Sequence, residues 1–250
     1  MHRFYVAREN WNPDALTLTG TEAHHCRNVL RLEAGDKVVL FDGRGREVTA
    51  EISAADPSEI RLRKLHEAKG PPLRCQITLG QAIPKGKNMD LIVQKAVEIG
   101  AAEIAPILSD RTVVRLDEES AASKQSKWQT IAIEAAKQCG QNWLPQVHSP
   151  QTMAQFFEYR RHFDLQLIGS LQSDAVHLKK ILAEYCAEHG DRPASVLMLV
   201  GPEGDFTPAE LSLARSHGCR PITLGPIVLR VETASIYCLS VLSYELLVDV

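Results

Sequence analysis

The chain has 250 residues, 44% hydrophobic and 24% charged, with a formal net charge of −3. That length allows one large or two small domains with a real core, and the acidic balance excludes a protein that coats nucleic acid over its whole surface. No apolar run approaches the ~18 residues of a membrane helix, and the segment from Met1 to Val6 lacks the apolar core of a signal peptide, so a cytoplasmic protein with no membrane partner is expected.

In chain order, Thr19-Gly20-Thr21-Glu22 has capping-box spacing and leads into a predicted helix over His24–Arg31. Lys37–Phe41 and Glu47–Ile52 are β-prone runs around Asp42-Gly43-Arg44-Gly45, a hairpin signal. Ile60–Leu65 alternates at period two, as a half-buried strand does. These elements predict a small β-rich barrel or sandwich over residues 1–70, closed by a linker at Gly70-Pro71-Pro72.

From Cys75 onward strands alternate with helices, which predicts an α/β domain over residues 74–250 with a mostly parallel sheet. Ile77–Leu79 and Ile104–Leu108 read as strands, and Met89–Ile99 as a helix with Gly100 at its C-cap. A further helix is expected from about Lys127 to Cys139, ending at Gly140. Asp164–Ile168 and Ser195–Val200 are apolar runs of the kind found in buried parallel strands. Pro221–Leu224 is another strand, and a last helix covers about 233–247. Ligands of such sheets bind beyond the carboxyl ends of the strands, so function is expected in the loops after Ile168, Val200 and Leu224.

Two of those loops carry motifs. Gly201-Pro202-Glu203-Gly204-Asp205-Phe206 is a glycine turn running into Thr207-Pro208-Ala209-Glu210, where Thr207 and Glu210 have capping-box spacing. It reads equally as a structural turn or as a place where a ligand meets the backbone. Gly225-Pro226 leads through Leu229 to Arg230 and Glu232 at a helix entrance, either a surface ion pair or groups that handle substrate. A dinucleotide fingerprint is missing, and five residues rather than four separate Gly80 from Gly86, which fails the phosphate-loop spacing. Lys85 and Lys87 still suit an RNA phosphate or simple solvation, as do His24, His25, Arg27 and Arg31. The cysteines at 26, 75, 139, 186, 219 and 238 form no C-x-x-C pair, so they are expected to be buried, reduced thiols, with no metal.

Taken together, His24-His25 with Val29-Leu30-Arg31, Gln81-Ala82 with Lys85 and Lys87, Gln94-Lys95 with Glu98-Ile99-Gly100, Gly201-Pro202-Glu203-Gly204 with Glu210, and Leu224-Gly225-Pro226 with Leu229-Arg230 and Glu232-Thr233-Ala234 resemble the RsmE-type 16S ribosomal RNA uridine-N3 methyltransferases, in order and over nearly the whole chain. The resemblance implies a PUA-like RNA-binding barrel followed by a SPOUT-type, trefoil-knotted domain that binds S-adenosylmethionine (SAM). It implies cofactor contacts at Gly201, Glu203, Gly204, Leu224, Gly225 and Leu229. Arg230, Glu232 and Glu203 become the catalytic candidates. His24, His25, Arg27, Arg31, Lys85, Lys87, Arg111 and Arg115 become the RNA-contact candidates. It also implies a homodimer, for which Ile236, Leu239, Leu242 and Leu246 of the last helix are the interface candidates, and 16S rRNA in the 30S subunit as partner. The rival readings are an RNA-binding assembly factor without catalysis and a knotted methyltransferase for another RNA. The chain departs from the pattern at Ile227, Gln141 and Trp143, where arginine is common, and at Asp205, where a third glycine is common.

Overall fold

The computed structural model describes residues 1–12, 15–56, 59–112, 116–158 and 162–247. These form two compact units, Met1–Pro72 with Ile133–Leu144, and Leu73–Ala132 with Pro145–Val250.

In the first unit, β1 (His2–Tyr5), β2 (Thr17–Thr19), β3 (Lys37–Phe41), β4 (Arg46–Ala55) and β5 (Glu59–Lys69) make one sheet in the order β1-β3-β4-β5-β2. The β1–β3 pair is parallel and the others antiparallel. Among the described residues β1 and β2 are edges that do not pair with each other, so the ladder of this β-rich domain, expected as a barrel or sandwich, is open. Register shifts in the β4–β5 ladder at Thr49/Ala50 and Ile52/Ala54 bend the sheet over a core of Phe4, Leu18, Val38, Leu40, Ile52 and Ile60. The helix α1 (Gly20–His24) passes directly into a wider π-type turn over His25–Val29. Its predicted capping box does not form: Thr19 makes no side-chain cap bond. The Glu22 carboxylate instead accepts from Lys137 Nζ at 3.1 and 3.2 Å. Burial pushes the Glu22 carboxyl up, and the lysine beside it offsets only part of that.

The stretch Ile133–Leu144, which the sequence assigns to the second domain, packs in the first unit. Its end is a strap over the β3–β4 turn. Gly45 donates to the Asn142 carbonyl at 2.9 Å, Leu144 donates to the Gly43 carbonyl at 3.0 Å, and the Trp143 indole donates to the Gly70 carbonyl at 3.1 Å. Gly45 lies at φ +86°, and a Cβ there would stand 2.4 Å from the Gly70 oxygen and 2.5 Å from Trp143 Nε1, so both backbone and space demand glycine.

In the second unit, β6 (Gln76–Ala82), α2 (Asn88–Ile99), β7 (Glu103–Leu108), α3 (Glu118–Cys139, whose last residues belong to the first unit), β8 (Gln146–Val147), β9 (Gln151–Thr152), α4 (Met153–Glu158), β10 (Leu165–Gly169), β11 (Val176–His177), α5 (Leu178–His189), β12 (Ser195–Val200), α6 (Pro208–Ser216), β13 (Arg220–Thr223) and α7 (Val231–Leu246) follow one another. The sheet order is β11-β13-β10-β12-β6-β7-β8, with β9 on β7, and every pairing is parallel. The apolar run of β12 sits in the middle, as its burial requires. Gly80 faces Leu199 across the β6–β12 ladder, where a Cβ would come within 2.3 Å of Leu199 Cδ2; it serves strand packing rather than a phosphate loop. Gly100 caps α2 at φ +98°, as predicted.

All six cysteines are free thiols and four are buried. Burial raises Cys26 to about 11 and Cys75, Cys219 and Cys238 to about 12. Among the described residues no helix is long and apolar enough to cross a membrane.

Candidate active site

Because β6, β10, β12 and β13 run parallel, their carboxyl ends share one edge of the sheet. A cavity of about 700 Å³ opens there. Its walls are Gly169–Gln172 at and after the end of β10, Val200–Glu203 with Asp205 at and after the end of β12, Thr223–Arg230 at and after the end of β13, and the start of α7, with Asn88 of α2 on one side. These are the three loops expected from the sequence, and the volume suits a nucleoside-sized ligand.

Each wall is held by identifiable bonds. The turn after β12 closes through the Asp205 amide donating to the Pro202 carbonyl at 2.9 Å. Asp205 itself lies at φ +62°, a region costly for most side chains, and its carboxylate offsets that cost locally. Oδ1 accepts from the Phe206 amide at 2.8 Å, and Oδ2 accepts from the Leu171 amide at 3.3 Å, joining two walls of the cavity. Buried Phe206 anchors the turn. The capping box of Thr207 and Glu210 is fully formed. Glu210 is only 7% exposed, and it also accepts from the Ser109 hydroxyl at 3.1 Å and the Asp110 amide at 3.0 Å. In the wall after β13, Gly225 lies at φ +113° and its amide donates to Thr223 Oγ1 at 3.3 Å. A Cβ at Gly225 would meet nothing within 4 Å, so the backbone there faces open space. Behind the cavity, the Ser235 hydroxyl donates to buried Gln81 Oε1, tying α7 to β6.

All three catalytic candidates line the cavity. Arg230 is the exposed N-cap residue of α7, its side chain makes no cap bond, and among the described residues it joins no ion pair. The Arg230–Glu232 surface pair left open by the sequence is therefore not what forms. Glu232, half-buried, accepts from Asn88 Nδ2 at 3.1 Å, and Glu203 accepts from the Lys85 amide at 3.0 Å.

Of the cofactor candidates, Gly201, Glu203, Leu224, Gly225 and Leu229 line the cavity. Gly204 does not. It lines an adjacent cavity of about 480 Å³ that shares Leu171, Gln172 and Asp205 with the first, where a Cβ on it would stand 3.4 Å from Arg111 Cδ. Asn88, Ser170, Leu171 and Gln172 escaped the sequence reading; the strand ending at Ile168 pointed to the loop, but no motif marked its residues.

The RNA candidates scatter. His24, Arg27, Arg31, Lys85 and Lys87 are exposed, and His25 is half-buried, edge-on to Phe4. Arg111, offered as a phosphate contact, spends its guanidinium on the Gly204 and Asp205 carbonyls. Arg115 lies outside the described residues.

Comparison with known proteins agrees with this geometry. Residues 71–243 match the family model for an RNA methyltransferase domain, and residues 18–65 match that for an RNA methyltransferase PUA domain. The chain is 31% identical over 234 residues to ribosomal RNA small subunit methyltransferase E of Bacillus subtilis, covering 92% of this chain and 90% of that protein. It is 33% identical over 237 residues to the Synechocystis protein of the same name, covering 93% and 74%. The crystal structure of the Neisseria gonorrhoeae ribosomal RNA small subunit methyltransferase E bound to S-adenosyl methionine superposes with a TM-score of 0.85 at 30% identity, covering 98% of each chain. The chain belongs to the RNA methyltransferase family of ribosomal RNA small subunit methyltransferase E.

Proposed function

We propose that this protein transfers a methyl group from SAM to N3 of a uridine in 16S ribosomal RNA of the small subunit. The observation that carries the reading is the cavity that gathers Glu203, Arg230 and Glu232 around the glycine loops at the carboxyl edge of the sheet. The residues present fit SAM. The volume accepts it, Val200, Leu224 and Leu229 offer apolar contact, and the open backbone at Gly225 leaves room that a Cβ would fill. Gly201, Glu203, Leu224, Gly225 and Leu229 would hold it.

When bound, SAM supplies an electrophilic methyl on a sulfonium. Uracil N3 carries a proton and is a poor nucleophile, so the protein must remove that proton or stabilise the anion left behind. Arg230, which joins no ion pair among the described residues, lines the cavity as the candidate to stabilise the anion. Glu232 and Glu203 are the proton-acceptor candidates: each has one oxygen held, by Asn88 Nδ2 and by the Lys85 amide, and the other left to take a proton.

Residues 1–70 serve as the PUA-like RNA-binding domain, with His24, His25, Arg27 and Arg31 on its surface, and residues 74–250 as the knotted methyltransferase domain. Support for a trefoil knot comes from the chain's path. β13 lies beyond β10, yet α7, which follows it, packs on α2, β6 and β12, so the chain crosses back past the loops after β10 and β12. Lys85, whose amide bonds Glu203, and Lys87 are both exposed and are the candidates to meet RNA phosphate. Of the interface candidates Ile236, Leu239, Leu242 and Leu246, only Ile236 is not fully buried, so a homodimer would draw on a neighbouring face of α7. Leu239, Leu242 and Leu246 are buried within their own chain, whereas Tyr237 and Tyr244, seven residues apart, are 44% and 76% exposed and supply an apolar face on α7. A ribosomal substrate supports the reading of a cytoplasmic protein.

The Asp205 clasp gives a direct check on the pocket. Asp205→Gly removes its bonds to the Phe206 and Leu171 amides while relieving only the backbone cost, and SAM affinity measured by calorimetry should fall about tenfold, equivalent to ~1.4 kcal/mol. Asp205→Asn keeps one acceptor and tolerates the same backbone, so it should bind nearly as the parent. Equal affinity in the glycine variant would show that the clasp does not shape the pocket.

The function itself is tested by methyl transfer from labelled SAM to 30S subunits lacking native modification, followed by nucleoside analysis. Label in 3-methyluridine is the expected result. SAM binding without transfer would favour the assembly factor, and label in another nucleoside or RNA would overturn the target.

A further inference from the structure

The departures at Gln141 and Trp143 remove arginines that the family often carries, but the same segment builds something else. Trp143 packs its indole against Gly45 and bonds to the Gly70 carbonyl, and a backbone bridge joins it to Arg44. Strapped this way, the β3–β4 turn presents Arg44 and Arg46 to a cavity of about 420 Å³ whose other walls are Arg8, Trp11, Asp42 and Lys69. Four cations thus line one small space in a chain whose net charge is −3.

Intrachain acids neutralise little of this. Asp42 Oδ1 is occupied by the Arg44 and Arg46 amides at 2.7 and 3.1 Å, and Oδ2 stands 3.9 Å from Arg46. Arg46 also lies 3.5 Å from Glu67, and it sits directly opposite Lys69 in the β4–β5 ladder, an unfavourable like-charge pair. Among the described residues Arg8, Arg44 and Lys69 have no acidic partner. The floor is Trp11, half-buried against the domain core, with the Arg46 guanidinium 6.0 Å from its ring and its indole N–H buried without an acceptor among the described residues. Concentrated positive charge over an aromatic floor is the chemistry of a site for single-stranded nucleic acid.

We propose that this cleft is a contact site for single-stranded RNA, in which Arg8, Arg44 and Lys69 meet phosphates and Trp11 lies under one base. The inference rests on the RNA reading above and adds to it a second, cofactor-independent foothold.

The test uses the full chain carrying Arg8→Ala, Arg44→Ala and Lys69→Ala together, all exposed positions outside the core. Its binding to a fluorescein-labelled single-stranded RNA 12-mer is titrated against salt, alongside methyl transfer to 30S subunits. Loss of up to three phosphate contacts should flatten the slope of log K against log salt by about 2. The KM for 30S subunits should rise at least tenfold, with SAM affinity unchanged. Trp11→Leu, which keeps an apolar side chain and removes the aromatic face, should weaken RNA binding by roughly tenfold without altering the slope, and unchanged binding would remove the base from the proposal. If the parent methylates 30S subunits and the triple variant matches it in slope and KM, the cleft is a solvated basic patch and the inference falls while the function stands. A parent that neither binds RNA nor methylates overturns both. Displacement of the 12-mer by polyglutamate as readily as by unlabelled RNA would assign the cleft to an acidic protein partner instead.

Discussion

Arg230→Ala is expected to cut methyl transfer by about 10²–10³ in kcat, the cost of removing a donor aimed at developing negative charge. Its SAM affinity should stay within about twofold of the parent. The fold has no stake in this side chain: Arg230 is exposed, caps nothing and joins no ion pair among the described residues. The readout that separates catalysis from packing is pH. Without a cation to stabilise it, the N3 anion still forms as pH rises, so the deficit should narrow in alkaline buffer, and Arg230→Lys should recover part of the rate by restoring the charge without the guanidinium fork. A variant with parental kcat at neutral pH would remove Arg230 from the mechanism.

The second large effect is on stability. Lys137 is 8% exposed, with its ammonium bonded to Glu22 and to Glu134 at 2.9 Å and 5.7 Å from the Phe4 ring centre. Lys137→Ala strands the partly buried Glu22 carboxylate and opens a space beside Phe4. Breaking one side of such a pair costs about 3–5 kcal/mol, which should lower the melting temperature by roughly 10–20 °C. The double variant Glu22→Gln, Lys137→Met keeps the packing and removes both charges, so it should regain most of that loss. A single variant melting within a couple of degrees of the parent would mean that solvent already screens the pair. The consequence reaches function, since Glu22 sits in the helix that presents His24, His25 and Arg27.

Signals that close within a few residues were legible in the sequence. Thr207 and Glu210 form their capping box, Gly100 caps α2, and Asp42–Gly45 turns a hairpin. The apolar run of β12 lies at the centre of a parallel sheet, so the three loops beyond its carboxyl edge, and the cavity they share, followed from periodicity and turn chemistry alone. The one local signal that failed is instructive. Thr19-Gly20-Thr21-Glu22 has the spacing of a capping box, but Glu22 finds Lys137, 115 positions away, and a buried cation outcompetes a helix-end amide for a carboxylate.

What only the tertiary structure decided has the same character: pairs of polar groups far apart in the chain. Asn88 orients Glu232 across 144 positions, Asp205 reaches Leu171 across 34, and the strap at Asn142–Leu144 joins the first unit although its residues follow the first strands of the second. Periodicity tells which side of an element is buried, not which element it meets. Buried donors and acceptors must find partners wherever the fold places them, so the loops of the site could be read in advance, while the bonds that aim its side chains awaited the packed chain.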